Sequence, residues 1–387
     1  MKRFFNLVLF SIFFVQCIFL FGNDPGANIM QSGNGINASP LIIDTVTVIS
    51  ANKTVTVPED DELSSVILKG KTLSGYCIGK YEITCEQWSK VARWGSRNGY
   101  VLNKEDLPSQ YPHCGVSFID AIIWCNALSE MSGLTPVYYE DNAYKKVLRN
   151  KDQILLESED KLREELSAEL DDSMSDVGNK LIIEVSVPLV LYLIPNSIYI
   201  KSFRCGNTAL SGCTADGYRL PTDEEWEYAA HGGGDSDIPA WSFKYSGSNT
   251  LSNVGWYANN SGGTVHKVGE LKPNGLGIYD MSGNVWEWTT LSGSLYNMLF
   301  EGIEDIAKLE DFEKEFDKIF GSRLIAGFIH GGGYNDEAGE CAVLFENWEI
   351  EKSNYKKNDY NYWYNDTNES ETVKDLAVGF RIARSLF

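Results

Sequence analysis

The stretch Gly217-Tyr-Arg-Leu-Pro-Thr-Asp-Glu-Glu-Trp-Glu-Tyr-Ala-Ala230, followed by Asn274-Gly-Leu-Gly-Ile-Tyr-Asp-Met-Ser-Gly-Asn-Val-Trp-Glu-Trp288, decides how the rest of the chain is read. In the first piece, Thr222 and Glu225 have the spacing of a capping box. Asp223 and Glu224 add negative charge to the first turn, so a helix is predicted to start there. The second piece is punctuated by glycine and asparagine, residues that favour tight turns, and it delivers Trp286, Trp288 and the carboxylate of Glu287. An acid between two tryptophans in such a segment predicts a tight, partly buried corner.

Upstream, two more helix starts are legible. Thr84-x-x-Gln87 opens one that runs through Trp88, Val91 and Ala92 and stops near Gly95. Ser117-x-x-Asp120 opens another through Ala121, Trp124, Cys125 and Leu128, stopping at Gly133. From Lys53 to Leu73, short β-branched runs alternate with turn residues and predict strands. Residues 23–50 are rich in Gly, Asn and Ser and read as a linker, so the domain is expected over 51–387. Two stretches, about 141–205 and 299–325, change composition and read as insertions. They include charged segments at Lys151–Leu170 and Ile303–Phe320 with the look of surface helices, and a strand-like run from Leu181 to Phe203.

Composition narrows the function classes. With 33 basic against 54 acidic residues the formal charge is −21, and no basic stripe is visible. Nucleic acid is therefore not an expected partner, nor is an anionic membrane surface. Residues 1–22 begin Met-Lys-Arg and continue as an apolar run from Phe4 to Phe21, a secretory-signal pattern with cleavage expected within Gly22 to Ala27. Membrane association would come only through this leader, retained as an anchor, or through lipidation at Cys17. Gln16, in place of a small residue, disfavours lipidation. Of eight cysteines, the seven after the leader are odd in number, so an oxidising compartment leaves at least one thiol unpaired. Cys205 and Cys213 flank a short polar loop and are the best-placed pair for a bridge. No C-x-x-C pair with metal-ligand spacing occurs, and a zinc site is not expected.

Read in order, Gly79–Thr84, Val116–Ala121 with Trp124–Ser129, Gly133–Tyr138, Gly217–Ala230, Trp256–Asn259, Pro273–Trp288, His330–Tyr334 and Gly379–Ile382 resemble the formylglycine-generating enzyme, or sulfatase-modifying factor, family. The resemblance runs from about Gly75 to Ser385. It implies an irregular, loop-rich α+β fold related to C-type lectins. It also implies an oxidase that converts a client sulfatase cysteine to formylglycine, using oxygen and a copper ion held by two cysteine thiolates. Soft thiolates suit Cu(I), so both sulfurs matter. In the family the two cysteines follow an Arg-Gly-Gly-Ser motif. Here the run is His330-Gly331-Gly332-Gly333-Tyr334-Asn335-Asp336, ending at Cys341. Gly333 takes the place of the serine, Asp336 that of the first cysteine, and only Cys341 remains as a catalytic candidate. Oxidase activity and copper are thus not expected, although a formylglycine-generating oxidase using Cys341 with another ligand stays as the alternative.

The resemblance further implies a structural calcium at the Asn-Val-Trp-Glu motif, with side-chain oxygens from Asn284 and Glu287 and a carbonyl from Val285. A second family calcium site is not carried over, because the segment around Asn259 to Val268 is shortened. Beyond Cys341, residues 346–375 mix aromatic with short polar residues. Tyr360, Tyr362, Trp363 and Tyr364 form the candidate ligand-binding surface for a protein or glycan, since such side chains combine rigid contact area with adaptable hydrogen bonding. Packing of these aromatics onto the domain is the competing reading. The expectation from sequence is an exported binding or structural protein of the envelope or cell surface.

Overall fold

Three helices begin where the cap residues place them. In a computed structural model describing residues 41, 43–55, 68, 71–103, 109–141, 143–151, 199–200, 215–233, 239–290, 327–344 and 377–386, α1 spans Cys85–Gly95, α2 Phe118–Met131 and α3 Asp223–Ala230. Thr84 with Gln87, and Thr222 with Glu225, form complete reciprocal capping boxes, and the Ser117 hydroxyl caps α2 through the Asp120 N–H. α1 and α2 pack through Trp88 and Trp124, whose rings lie 6.0 Å apart and nearly parallel. Phe380 meets both edge-on. Such pairs add to the area they bury.

The strands are short: β1 Thr45–Ile49, β2 Lys53–Thr54, β3 Thr72–Leu73, β4 Tyr76–Gly79, β5 Tyr138–Tyr139, β6 Tyr199–Ile200, β7 Trp286–Thr290, β8 Gly327–His330, β9 Val378–Gly379 and β10 Ala383–Ser385. β4 is central between antiparallel β1 and β10. β7 is central between antiparallel β8 and parallel β9. β2 pairs with β3, and β5 with β6. Helices and strands are mixed along the chain, as in an α+β fold.

β1 lies inside the stretch read as a linker. Its Thr-Val-Thr-Val-Ile alternation pairs with β4, Thr45 opposite Gly79, and Ile49 is buried. A β-branched run finding a partner edge outweighs the Gly/Asn/Ser-rich composition just before it. The domain therefore takes in residues from at least Thr45. The leader, Cys205–Cys213, most of the two insertions and residues 346–375 lie outside the described residues.

Polar side chains also fasten the core. Asn126, fully buried on α2, donates from Nδ2 to the carbonyls of Tyr138 (2.8 Å) and Leu148 (3.0 Å). Its Oδ1 accepts from the N–H groups of Val137 and Tyr138, both at 3.1 Å. Among the described residues no helix is long and apolar enough to cross a membrane.

Candidate functional site

β7 carries Trp286, Glu287 and Trp288 into the core, and the loop before it turns through Asp280 (φ 57°) and Asn284 (φ 67°). Asp and Asn tolerate this left-handed conformation better than most residues. Glu287 is wholly buried. Its Oε1 accepts from Nη2 of Arg381 and its Oε2 from Nε of the same guanidinium, both at 2.6 Å. The Trp226 indole N–H also donates to Oε2 at 2.8 Å. Arg381 spends its remaining donors on the carbonyls of Gly79 and Tyr279. Of the buried carboxylates here, Glu287 is the one this guanidinium bonds directly.

Two further buried carboxylates stand beside this pair. Glu82 accepts from Asn284 Nδ2 at 2.8 Å and from the Val285 N–H at 3.3 Å. Asp280 Oδ2 accepts from the Gly269 N–H at 2.6 Å, while its Oδ1 is buried with no partner among the described residues. Burial, reinforced by Asp280 and Glu287, pushes Glu82 well above the usual carboxylate range. Burial likewise raises Asp280 to about 6. Desolvation disfavours the charged form, and a single guanidinium cannot neutralise three acids.

The side-chain oxygens of the calcium trio read from sequence are engaged in hydrogen bonds within the protein. Asn284 Oδ1 accepts the His266 N–H at 2.9 Å, and both Glu287 oxygens are bound to donors. A calcium ion needs several oxygen ligands, and among the described side-chain oxygens of this corner Asp280 Oδ1 is the buried one with no hydrogen-bond partner. Among the described residues no cluster of three or more His, Cys, Asp and Glu side chains is placed to hold a metal ion.

β8 ends at His330, and the glycine run then turns back under the Asn284 loop. The Gly283 N–H bonds to Gly331 O at 2.7 Å and the Tyr334 N–H to Asn284 O at 2.9 Å. At Gly332 (φ 72°) a Cβ would stand 2.7 Å from Cys341 Sγ and 2.8 Å from Glu340 O, so only glycine lets the cysteine segment pass this close. The His330 ring stacks on Trp226 at 4.9 Å, and burial lowers its pKa to about 4, leaving it neutral at pH 7.

Asp336, in the position of the missing cysteine, turns its carboxylate onto the Gly333 N–H at 2.7 Å. It closes a loop. Burial raises its pKa, opposed by that N–H and by the Trp286 side chain. Cys341 is buried among Tyr245, Leu251 and Val254. Burial pushes its thiol far above the ordinary range, with Asp336 and Glu340 acting in the same direction. A protonated, enclosed thiol is neither a nucleophile nor a ready copper ligand. Cys77, Cys85, Cys114 and Cys125 are also free thiols. Cys77 sits on β4, Cys85 at the start of α1 and Cys125 within α2. A two-thiolate copper centre does not fit the residues at this corner.

The model of the "Sulfatase-modifying factor enzyme 1-like domain" matches residues 43–386. The chain belongs to this family. Its relatives include "Chaperone protein LppX" of Paenibacillus barcinonensis, 33% identical over 242 residues, which are 58% of this chain and 65% of that protein. The formylglycine-generating enzyme of Mus musculus is 38% identical over 95 residues, covering 22% of this chain and 25% of the enzyme. The "Inactive C-alpha-formylglycine-generating enzyme 2" of Bos taurus is 39% identical over 89 residues, or 21% and 30%. The chain thus spans just under two thirds of the first relative and a quarter to a third of the other two. Among solved structures, CarF has a TM-score of 0.48 at 19% identity, covering 89% of this chain and 99% of its own. "Treponema denticola variable protein 1" has 0.46 at 20%, covering 93% and 99%.

Of the residues singled out from sequence, Asn284, Val285 and Glu287 share one corner through Glu82 and Arg381. Cys341 lies beneath the glycine turn. Tyr360, Tyr362, Trp363 and Tyr364 lie outside the described residues. Glu82, Asp280 and Arg381 had only a faint signal, a charge inside an otherwise apolar or turn-forming motif.

Proposed function

We propose that this chain is a family member without oxidase activity that acts as a binding or structural protein, exported to the envelope or cell surface. The observation that carries the first part is Asp336 on the Gly333 N–H, where a second thiolate would be required, above a buried and protonated Cys341. A soft Cu(I) ion prefers sulfur over a carboxylate that is already hydrogen-bonded. The likeness to a relative named a chaperone supports a role in holding another protein. The leader-like residues 1–22 support export, and residues 360–364 supply the ligand surface, for a protein or a glycan.

A screen of the purified full chain against glycans and envelope proteins tests this reading, with Tyr362→Ala and Trp363→Ala variants alongside. Loss of a detected interaction in these variants is expected. Interactions that all survive both substitutions would place binding elsewhere. Active oxidation of a cysteine peptide would overturn the reading altogether.

A further inference from the structure

Buried side-chain polar groups in a folded protein nearly always find a partner, and one spot at the end of α3 breaks that rule several times over. Glu227 and His231 stand one helical turn apart there, His231 as the residue that caps the helix end. Oε1 of Glu227, both ring nitrogens of His231 and Nε1 of Trp241 are buried with no hydrogen-bond partner among the described residues. The His231 and Glu227 side chains are only 1% and 5% exposed. Trp241, in the short 3-10 turn Pro239–Ser242, stacks on the imidazole at 4.1 Å. Of the described histidines, His231 is the one with both ring nitrogens left in this state.

His231 Nε2 lies 3.7 Å from Glu227 Oε1. That exceeds the roughly 3.2 Å reach of an N–H···O bond. It is close to one edge of a metal's coordination shell: a nitrogen and an oxygen each about 2.0–2.1 Å from a tetrahedral zinc stand about 3.4 Å apart. Charge argues the same way. Glu224 on the same helix has Lys71 at 3.1 Å, and Glu225 has Arg219 at 2.6 Å. Glu227 has as its ion-pair partner, among the described residues, an imidazole that is a cation only when protonated. An enclosed carboxylate without a permanent cation is costly. The carbonyl end of α3 adds a further field that favours positive charge at His231.

We propose that Glu227 and His231 bind a divalent transition-metal ion of the zinc type, with water completing the shell, and that the ion fastens the end of α3. Imidazole with carboxylate suits zinc, whereas calcium takes six or more oxygens. The expectation against zinc came from cysteine spacing, and this pair uses no cysteine. The i, i+4 spacing puts both ligands on one helix face before an ion arrives. His266 and Glu270 repeat that spacing and the 3.7 Å separation, but His266 Nε2 already lies 2.8 Å from Ser261 O and Glu270 is exposed. The second pair therefore serves as a control within the same chain. The site is independent of the binding role and of the ligand surface proposed above.

Calorimetric titration of the untagged, chelator-stripped full chain with zinc chloride tests it. One zinc ion per chain is expected, and calcium chloride should give no comparable binding. X-ray absorption of the zinc-loaded wild type should show nitrogen and oxygen neighbours and no sulfur. Glu227→Gln and His231→Gln should each weaken zinc binding by at least roughly tenfold, the loss that even an outer-shell partner of a metal can cause. His266→Gln should leave it unchanged. Circular dichroism checks that each variant is folded, and the absorption spectrum needs no variant at all. The proposal fails if no zinc binds, as it would if water alone fills the spot. It fails equally if sulfur ligates the ion, if calcium binds as well as zinc, if Glu227→Gln or His231→Gln binds zinc normally, or if His266→Gln abolishes binding.

Discussion

Replacing Arg381 by Met should damage this fold far more than replacing Glu287 by Gln, although the two form one ion pair. Arg381 faces three buried carboxylates, Glu82, Asp280 and Glu287, and both arms of its guanidinium bind Glu287 at 2.6 Å. Without it, three acids share a closed corner with no cation. Breaking a buried pair from one side costs about 3–5 kcal/mol, because the partner is left uncompensated. Glu287→Gln leaves Arg381 with Glu82 and Asp280 still nearby to answer its charge, and a Gln oxygen can still accept from the Trp226 indole. That change should cost about 1–3 kcal/mol, the scale of a mismatched buried donor. The Arg381→Met deficit should also shrink as pH falls from 7 to 5. Stranded carboxylates with native pKa values above their unfolded ones bind protons on folding, so acid restores stability. Urea unfolding at both pH values reads both effects. Equal losses in the two variants, or an Arg381→Met deficit independent of pH, would refute this account of the corner.

Other outcomes follow from the same geometry. Asp280, at 3.8 unfolded and about 6 folded, contributes stability that is present below the lower value and lost as pH rises through the higher one. Asp280→Asn keeps an acceptor for the Gly269 N–H and tolerates φ 57°. It should stabilise the protein at pH 7 by about 1–3 kcal/mol and change little at pH 4, as pH-dependent denaturation will show. Asn126→Ala removes the side-chain partner of the Val137 and Tyr138 N–H groups and of the Leu148 carbonyl, while Tyr138 O keeps the Leu148 N–H, and it should cost about 3 kcal/mol in chemical denaturation. Because the Asn284 and Glu287 oxygens are already bound, chelator should leave the melting temperature unchanged at micromolar free calcium. A drop of several degrees would restore the calcium reading.

The helices were legible because each start is a local event: the oxygen of Thr84, Ser117 or Thr222 meets an N–H three residues on. The strand at Thr45–Ile49 was hidden by the composition before it and by a partner edge whose nearest residue, Tyr76, lies well along the chain. The site was half legible. Glu287 and Cys341 stand inside recognisable motifs, and Gly333 and Asp336 reveal the altered copper corner by their identity alone. That Glu287 belongs to Arg381 and not to a metal was not readable, since the two lie 94 residues apart. Glu82 and Asn284 are 202 apart. Nothing local distinguishes an acid bound for a guanidinium from one bound for an ion. Glu225 shows the same limit: the capping box was evident, but not its paired bonds to Arg219 at 2.6 and 2.8 Å.

The central claim is that this family member does not oxidise cysteine, and one measurement meets it directly. Purified full-length protein, with Cu(I) and oxygen, is incubated with a peptide carrying Cys-x-Pro-x-Arg, and the peptide is weighed by mass spectrometry. The geometry around Asp336 and Cys341 predicts that the cysteine survives unchanged and no aldehyde forms. Aldehyde that appears with the wild-type chain and disappears with Cys341→Ser would contradict the account.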